Sequence, residues 1–309
     1  MPSSLRVLLS GVIDYAGLFP PAKLPLDQAI RNYAHYRAEP EGWMLGRFLC
    51  PASRLAELAP FLDELFPSGP PLALSALGRS GNSGEQFLAG LRDDLSALAA
   101  ARQRYGPRAA VEALETRLPA TEDGDLGPLV AEAVRLAASL NPPAHLYLEA
   151  PPMSAAGVVR ALAAAGRAGF KLRCGGADAS AFPTPEQVAA VITVCRDARV
   201  PLKFTAGLHH PFRHYDYGVR TQMHGFLNVF VAGVLAHARR LSAEQVQAIL
   251  ADETDRHFAF DDRGLRWQAL HATTEEIRTA RQHAVISFGS CSFEEPRDDL
   301  RSFGLVGRV

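Results

Sequence analysis

The sequence predicts an α/β protein built as a (β/α)8 TIM-type barrel, with a helix and a hairpin inserted between the seventh and eighth strands. Three observations carry this expectation. Short β-favouring apolar runs alternate with long Ala- and Leu-rich helical stretches along all 309 residues, with no obvious linker. The runs number eight, the count that closes such a barrel. Charged or polar residues also recur two positions apart at the ends of four consecutive runs, where a barrel carries its chemistry. An open doubly wound sheet shares the alternation, but no GxGxxG follows the first run and no GxxxxGK[ST] loop occurs anywhere.

The expected strands lie at 7–14, 43–50, 72–77, 110–117, 145–149, 170–174, 202–205 and 285–290. The helices between them carry physical start signals. At Thr184-Pro185-Glu186-Gln187 the threonine can cap, the proline suits a first turn and Gln187 completes a capping box; Val188, Val191, Ile192 and Cys195 then form one stripe. Ser242-Ala243-Glu244-Gln245 repeats the pattern before Val246, Ile249 and Leu250. The whole of 1–309 is expected to be a single barrel domain, with 210–272 as an insertion in it. Inside the insertion, a helix is expected at 224–237, and Asp262-Arg263-Gly264 should turn 258–260 into 265–267. Phe226, Leu227, Val229, Phe230, Val231, Val234 and Leu235 leave this helix no continuous polar face, so it should be buried against the barrel or a second subunit.

Composition excludes several classes. A hydrophobic content of 48% with 21% charged residues supports a large core and rules out disorder. Thirty-two Lys and Arg against thirty-three Asp and Glu leave a net charge of -1, with no basic excess for nucleic acid. The most apolar stretch, 225–236, is shorter than the roughly 18 residues a bilayer span requires and ends in His237, Arg239 and Arg240, so no membrane association is expected. Arg6 before Val7-Leu8-Leu9 faintly resembles a secretory start, but Asp14 interrupts it, and a cytoplasmic location is expected. Cys50, Cys174, Cys195 and Cys291 are widely separated, which favours reduced thiols over a disulfide or zinc framework.

The candidate chemistry lies in the pairs Glu115 and Arg117, Tyr147 and Glu149, Lys171 and Arg173, and Lys203 and Thr205, each of which shares the interior face of its strand. The flanking Leu114, Leu148, Leu172 and Phe204 would face the helices. An ion-pair ring that merely fills the barrel is the competing explanation, but structural layers of barrels favour Val, Ile and Leu. Two lysines on adjacent strands are expected to disfavour each other's ammonium form, making one of them a usable nucleophile that Glu149 or Glu115 serves with protons. Position alone does not separate nucleophile from partner.

Phe170-Lys171-Leu172-Arg173-Cys174-Gly175-Gly176, Phe182-Pro183-Thr184-Pro185-Glu186, Cys195-Arg196-Asp197 and Lys203-Phe204-Thr205-Ala206-Gly207 together resemble deoxyribose-phosphate aldolase and related class I aldolases. The resemblance implies that Lys171 is the Schiff-base lysine and Lys203 the lysine that tunes it. Leu172-Arg173-Cys174 departs from the threonine- and serine-rich sequence usual after that lysine, and the resemblance does not place the family's catalytic aspartate. His224-Gly225-Phe226-Leu227-Asn228 and the segment from Gly289 to Pro296 resemble uncharacterised bacterial proteins and imply no activity.

The expected function is a metal-independent lyase acting on a small hydroxy-carbonyl compound, needing no cofactor, with Lys171, Lys203, Glu149 and Glu115 as its catalytic set. Arg173, Arg117, Thr205, His209, His210, Asp14 and Ser290 are expected to bind the substrate, which could be anionic; Gly175-Gly176, Gly207 and Gly289 offer backbone amides nearby. One alternative is a metal-dependent lyase or hydrolase with Glu115, Glu149 or Asp14 and the histidines as ligands, although no HxH or HExxH spacing occurs. Another is a non-catalytic anion-binding barrel whose 225–236 helix joins subunits into a homo-oligomer. Cys174 and Cys291 end strands, but inert burial is their default.

Overall fold

The computed structural model describes residues 1–120 and 126–307. Its strands in chain order are β1 (Ile13–Tyr15), β2 (Leu45–Pro51), β3 (Leu72–Leu77), β4 (Ala109–Arg117), β5 (His145–Glu149), β6 (Ala168–Arg173), β7 (Leu202–Thr205), β8 (His214–Asp216), β9 (Thr221–Met223), β10 (Phe258–Phe260), β11 (Gly264–Trp267), β12 (Leu270–Thr273) and β13 (Val285–Ser290). The helices are α1 (Ser3–Leu9), α2 (Leu26–Ala38), α3 (Ala59–Leu65), α4 (Gly84–Tyr105), α5 (Gly127–Ala138), α6 (Ala155–Ala165), α7 (Pro185–Ala198), α8 (Phe226–Arg239), α9 (Ala243–Ala251), α10 (Thr274–His283) and α11 (Glu294–Ser302). β1 to β7 and β13 close into a parallel barrel in which β1 pairs with both β2 and β13. The fold is therefore a (β/α)8 barrel, as the alternation predicts.

The first strand differs from expectation. Residues 7–9 belong to α1, because Leu5, Leu8 and Leu9 recur at helical spacing and are fully buried, and only Ile13–Tyr15 pairs in the sheet. Gly11, at φ 59°, makes the turn between helix and strand. Residues 42–44 form a short 3-10 turn before β2. The remaining strands begin and end within two residues of expectation.

Capping boxes form as read at Thr184 with Gln187 and at Ser242 with Gln245, and a third joins Thr273 to Glu276. Between β7 and β13, the expected hairpin is a three-stranded sheet, β10-β11-β12, and a second hairpin, β8-β9, was not anticipated. Helix α8 starts at Phe226, and all its residues to Ala236 are buried within this one chain. It lies on the outer face of β7 and β13: Phe230 meets Phe204 at 5.6 Å between ring centroids, Phe226 stacks on Phe288 at 5.4 Å, and Gly233 admits Val285 where a Cβ would stand 2.4 Å from its Cγ1. Each buried Phe contributes about 1.5–3 kcal/mol. Among the described residues, no helix is long and apolar enough to cross a membrane.

Candidate active site

Parallel register sets the interior as a staircase. Arg117 lies beside Glu149, Glu149 beside Lys171, and Lys171 beside Lys203, each pair at matching positions of neighbouring strands. On the next strands round, Thr205 pairs with Gly289 and Gly289 with Asp14. Alternation turns Leu148, Leu172 and Phe204 outward, so the inward positions hold a charged core in place of the usual aliphatic layers.

Lys171 Nζ stands 2.9 Å from Glu115 Oε2 and 3.2 Å from Glu149 Oε2. Lys203 Nζ lies 2.6 Å from Asp14 Oδ2 and donates to Glu115 Oε1. Ser75 Oγ donates to the same Glu115 oxygen at 2.5 Å, and Arg173 Nε donates to Glu149 Oε1 at 3.2 Å. Asp14 receives Ser287 Oγ and the Arg47 backbone N–H, both at 2.6 Å. Gly46 makes room for it, since a Cβ there would meet Asp14 Oδ1 at 2.5 Å. Three carboxylates, Asp14, Glu115 and Glu149, thus face four cations, Lys171, Lys203, Arg173 and Arg47, which is how buried charge becomes tolerable.

The protonation states follow from these contacts. Burial opposes the Glu115 carboxylate, but Lys203 and Lys171 outweigh it and hold its pKa well below the ordinary range. Glu149 is likewise lowered, as Lys171 and Arg173 overcome burial. Burial also opposes the Lys203 ammonium, yet Asp14 and Glu115 raise its pKa above the usual lysine value. The expected suppression of the ammonium form is therefore corrected at Lys203, where Asp14 and Glu115 outweigh the neighbouring lysine and the burial. Tyr147, whose ring lies 5.7 Å from Lys203 Nζ, is pushed up to about 12 by burial.

A cavity of about 550 Å³ opens at the carboxyl ends of the strands. Glu115, Arg117, Glu149, Lys171, Arg173, Thr205 and His209 line it, together with the apolar Phe19, Pro20, Pro21, Leu49 and Phe182. Lys171 reaches this space, whereas Lys203 and Asp14 have no exposed side-chain surface and lie behind it. His210 and Ser290 also stand off the wall: His210 Nδ1 pairs with Asp299, and Ser290 Oγ donates to the Ser292 carbonyl at 2.6 Å. His209 stays on the wall with Nδ1 3.0 Å from Glu295. Gly207, at φ 70°, packs so closely on the Cys174 carbonyl that a Cβ would stand 2.7 Å from it, bringing the loops after β6 and β7 into contact.

Some contributors carry no motif. Ser75, Ser287 and Arg47 are single polar residues inside apolar strands, and their only sequence signal is the alternation phase they share with the charged positions. Asp216, Val219 and Met223 reach the cavity from the β8-β9 hairpin. Among the described residues, no group of three or more His, Cys, Asp or Glu side chains is arranged to hold a metal ion. The carboxylates named for that alternative face lysines, and His209 and His210 pair with Glu295 and Asp299. Burial pushes the thiols of Cys174 and Cys291 up.

The fold and site define a (β/α)8 barrel with a charged interior and a mixed polar and apolar cavity at the carboxyl ends of its strands. No family model matches the chain, and no curated protein does. The deoxyribose-phosphate aldolase resemblance thus rests on the segment from Phe170 to Gly207 alone. Among solved structures, a monomeric dihydrodipicolinate synthase variant is 10% identical with a TM-score of 0.38, covering 91% of this chain and 98% of its own. Dihydrodipicolinate synthase from Thermotoga maritima is 12% identical with a TM-score of 0.39, covering 97% of this chain and all of its own.

Proposed function

We propose that this protein is a lyase of the aldolase type, acting on a small hydroxy-carbonyl compound through a Schiff base at Lys171, without a metal. The observation that carries the reading is the placement of Lys171: its amine reaches the cavity, and two carboxylates flank it. Imine formation converts the lysine ammonium and a carbonyl into an iminium and water, with charge and protons balanced. The carboxylate pair that holds the ammonium can therefore hold the iminium as well. Glu149 accepts a proton as the amine attacks and returns it to the departing hydroxyl. Arg117 forms no ion pair among the described residues, and Arg173 commits only Nε to Glu149, which leaves guanidinium donors for a substrate anion.

The test is borohydride trapping with a panel of oxo-acids and hydroxy-aldehydes. Mass spectrometry should find a reduced adduct on Lys171, and Lys171→Ala should abolish it. The ion pairing of Lys171 favours one further reading, in which it stays an ammonium and donates a proton to a substrate oxyanion. Turnover with no reducible adduct at any lysine would select that reading. Activity lost on chelation would instead restore the metal alternative.

A further inference from the structure

We infer that Asp14 and Lys203 form a positioning pair that holds Glu115 ionised and immobile against Lys171, leaving Glu149 as the flanking carboxylate that exchanges protons with a bound molecule. This rests on the proposed function only in taking Lys171 as the reactive amine.

The two flanking carboxylates are built differently. Glu115 accepts hydrogen bonds at Oε1 from Ser75 Oγ at 2.5 Å and from Lys203, while Oε2 accepts no hydrogen bond and has Lys171 as its ion-pair partner at 2.9 Å. Its side chain has no exposed surface. Glu149 makes two longer contacts, 3.2 Å to Lys171 and 3.2 Å to Arg173, and keeps 10% of its side chain exposed on the cavity wall. A group that trades protons with a ligand must reach it and must tolerate either protonation state. Glu149 meets both conditions, whereas protonating Glu115 would strand Lys203 in the barrel core with a single counter-charge.

Behind Glu115 the pairing is over-determined. Lys203 spans Glu115 and Asp14, and Asp14 is fixed by Lys203, Ser287 and the Arg47 N–H. Neither Asp14 nor Lys203 lines the cavity, so neither can touch a bound molecule. They act on Lys171 through their contacts with Glu115 and through their own buried charges. The charged and titratable groups around Lys171 are Asp14 on β1, Arg47 on β2, Glu115 and Arg117 on β4, Tyr147 and Glu149 on β5, Arg173 on its own strand and Lys203 on β7. His209 and Asp216 border the cavity beyond them.

The test reads Lys171 directly and needs no substrate. Reductive methylation of the full chain with formaldehyde and cyanoborohydride, followed residue by residue with mass spectrometry, gives the pH midpoint at which Lys171 becomes reactive. Asp14→Asn removes a negative charge and should move that midpoint down by about one pH unit, while Lys203→Met removes a positive charge and should move it up by about as much. Asp14→Asn/Lys203→Met exchanges an ion pair for a neutral pair, so the two charge effects cancel and the midpoint should return to the wild-type value. Unmoved midpoints, or shifts of the same sign in both single variants, overturn the proposal. If the single variants do not fold, the double variant decides: a wild-type midpoint supports the pairing, and a displacement of about one unit overturns it. An absent Schiff-base adduct with opposite midpoint shifts would fail the lyase reading while leaving the positioning pair intact.

Discussion

At the scale of single residues, the two carboxylates beside Lys171 should separate on substitution. Glu149→Gln keeps the shape and a hydrogen-bond acceptor but cannot carry a proton, so trapping of the carbonyl adduct should slow by roughly 100-fold or more with little loss of stability. Glu115→Gln should instead cost about 3–5 kcal/mol in urea unfolding, because Lys203 and Lys171 lose a shared counter-charge. Histidines set a second residue-scale effect. Burial lowers the His224 and His237 pKa values from 6.5 to about 4, and the Nε2–H of His224 donates to the Pro183 carbonyl at 2.7 Å. Each histidine's folded-state pKa lies below its unfolded value, so the unfolded chain binds more protons between these limits. The stability is present above pH 6.5 and is lost as pH falls toward about 4. His224→Gln should flatten this acid slope in unfolding curves measured from pH 7 to 4.5, by on the order of 3 kcal/mol if the neutral site is preserved.

At the scale of elements, packing of α8 on the barrel depends on Gly233, beside Val285 on β13. Gly233→Leu should destabilise by about 1–3 kcal/mol or more through overpacking, which thermal unfolding would measure. The capping side chains of α7, α9 and α10 should each be worth about 1 kcal/mol on replacement by alanine. The last two helices of this set differ in what the sequence reveals. Ser242 and Gln245 announce α9 through local chemistry, as Thr184 does for α7. The equivalent Thr273 and Glu276 sit where a strand runs directly into a helix, and no polar gap marks the boundary. The first strand was obscured for a related reason: Val7-Leu8-Leu9 suits a short strand as well as one helical face, and only packing selects the helix. The charged positions on four strands were legible because alternation is local. The partners Ser75, Ser287 and Arg47 were not, because the contacts that give them meaning cross strands far apart in sequence.

At the scale of the whole molecule, the barrel interior is an electrostatic unit. Asp14→Asn or Lys203→Met alone should each cost about 3–5 kcal/mol in unfolding free energy, and the double variant should recover a large part of that loss, since replacing a buried pair avoids the uncompensated charge that breaking it leaves. A double-mutant cycle in urea would measure the coupling, and strictly additive losses would show that the two residues act apart. The closure between β1 and β13 has another consequence, concerned with synthesis. Asp14 enters the chain early, while Gly289 and Ser287, which pair with it across the seam and hydrogen-bond to it, emerge some hundreds of residues later. Until β13 is made, β1 and β7 present open edges to the crowded surroundings of a ribosome. A released chain truncated before Val285 should therefore be a better chaperone substrate than the full chain, and the seam, more than any helix, sets the moment at which the growing polypeptide becomes safe from its neighbours.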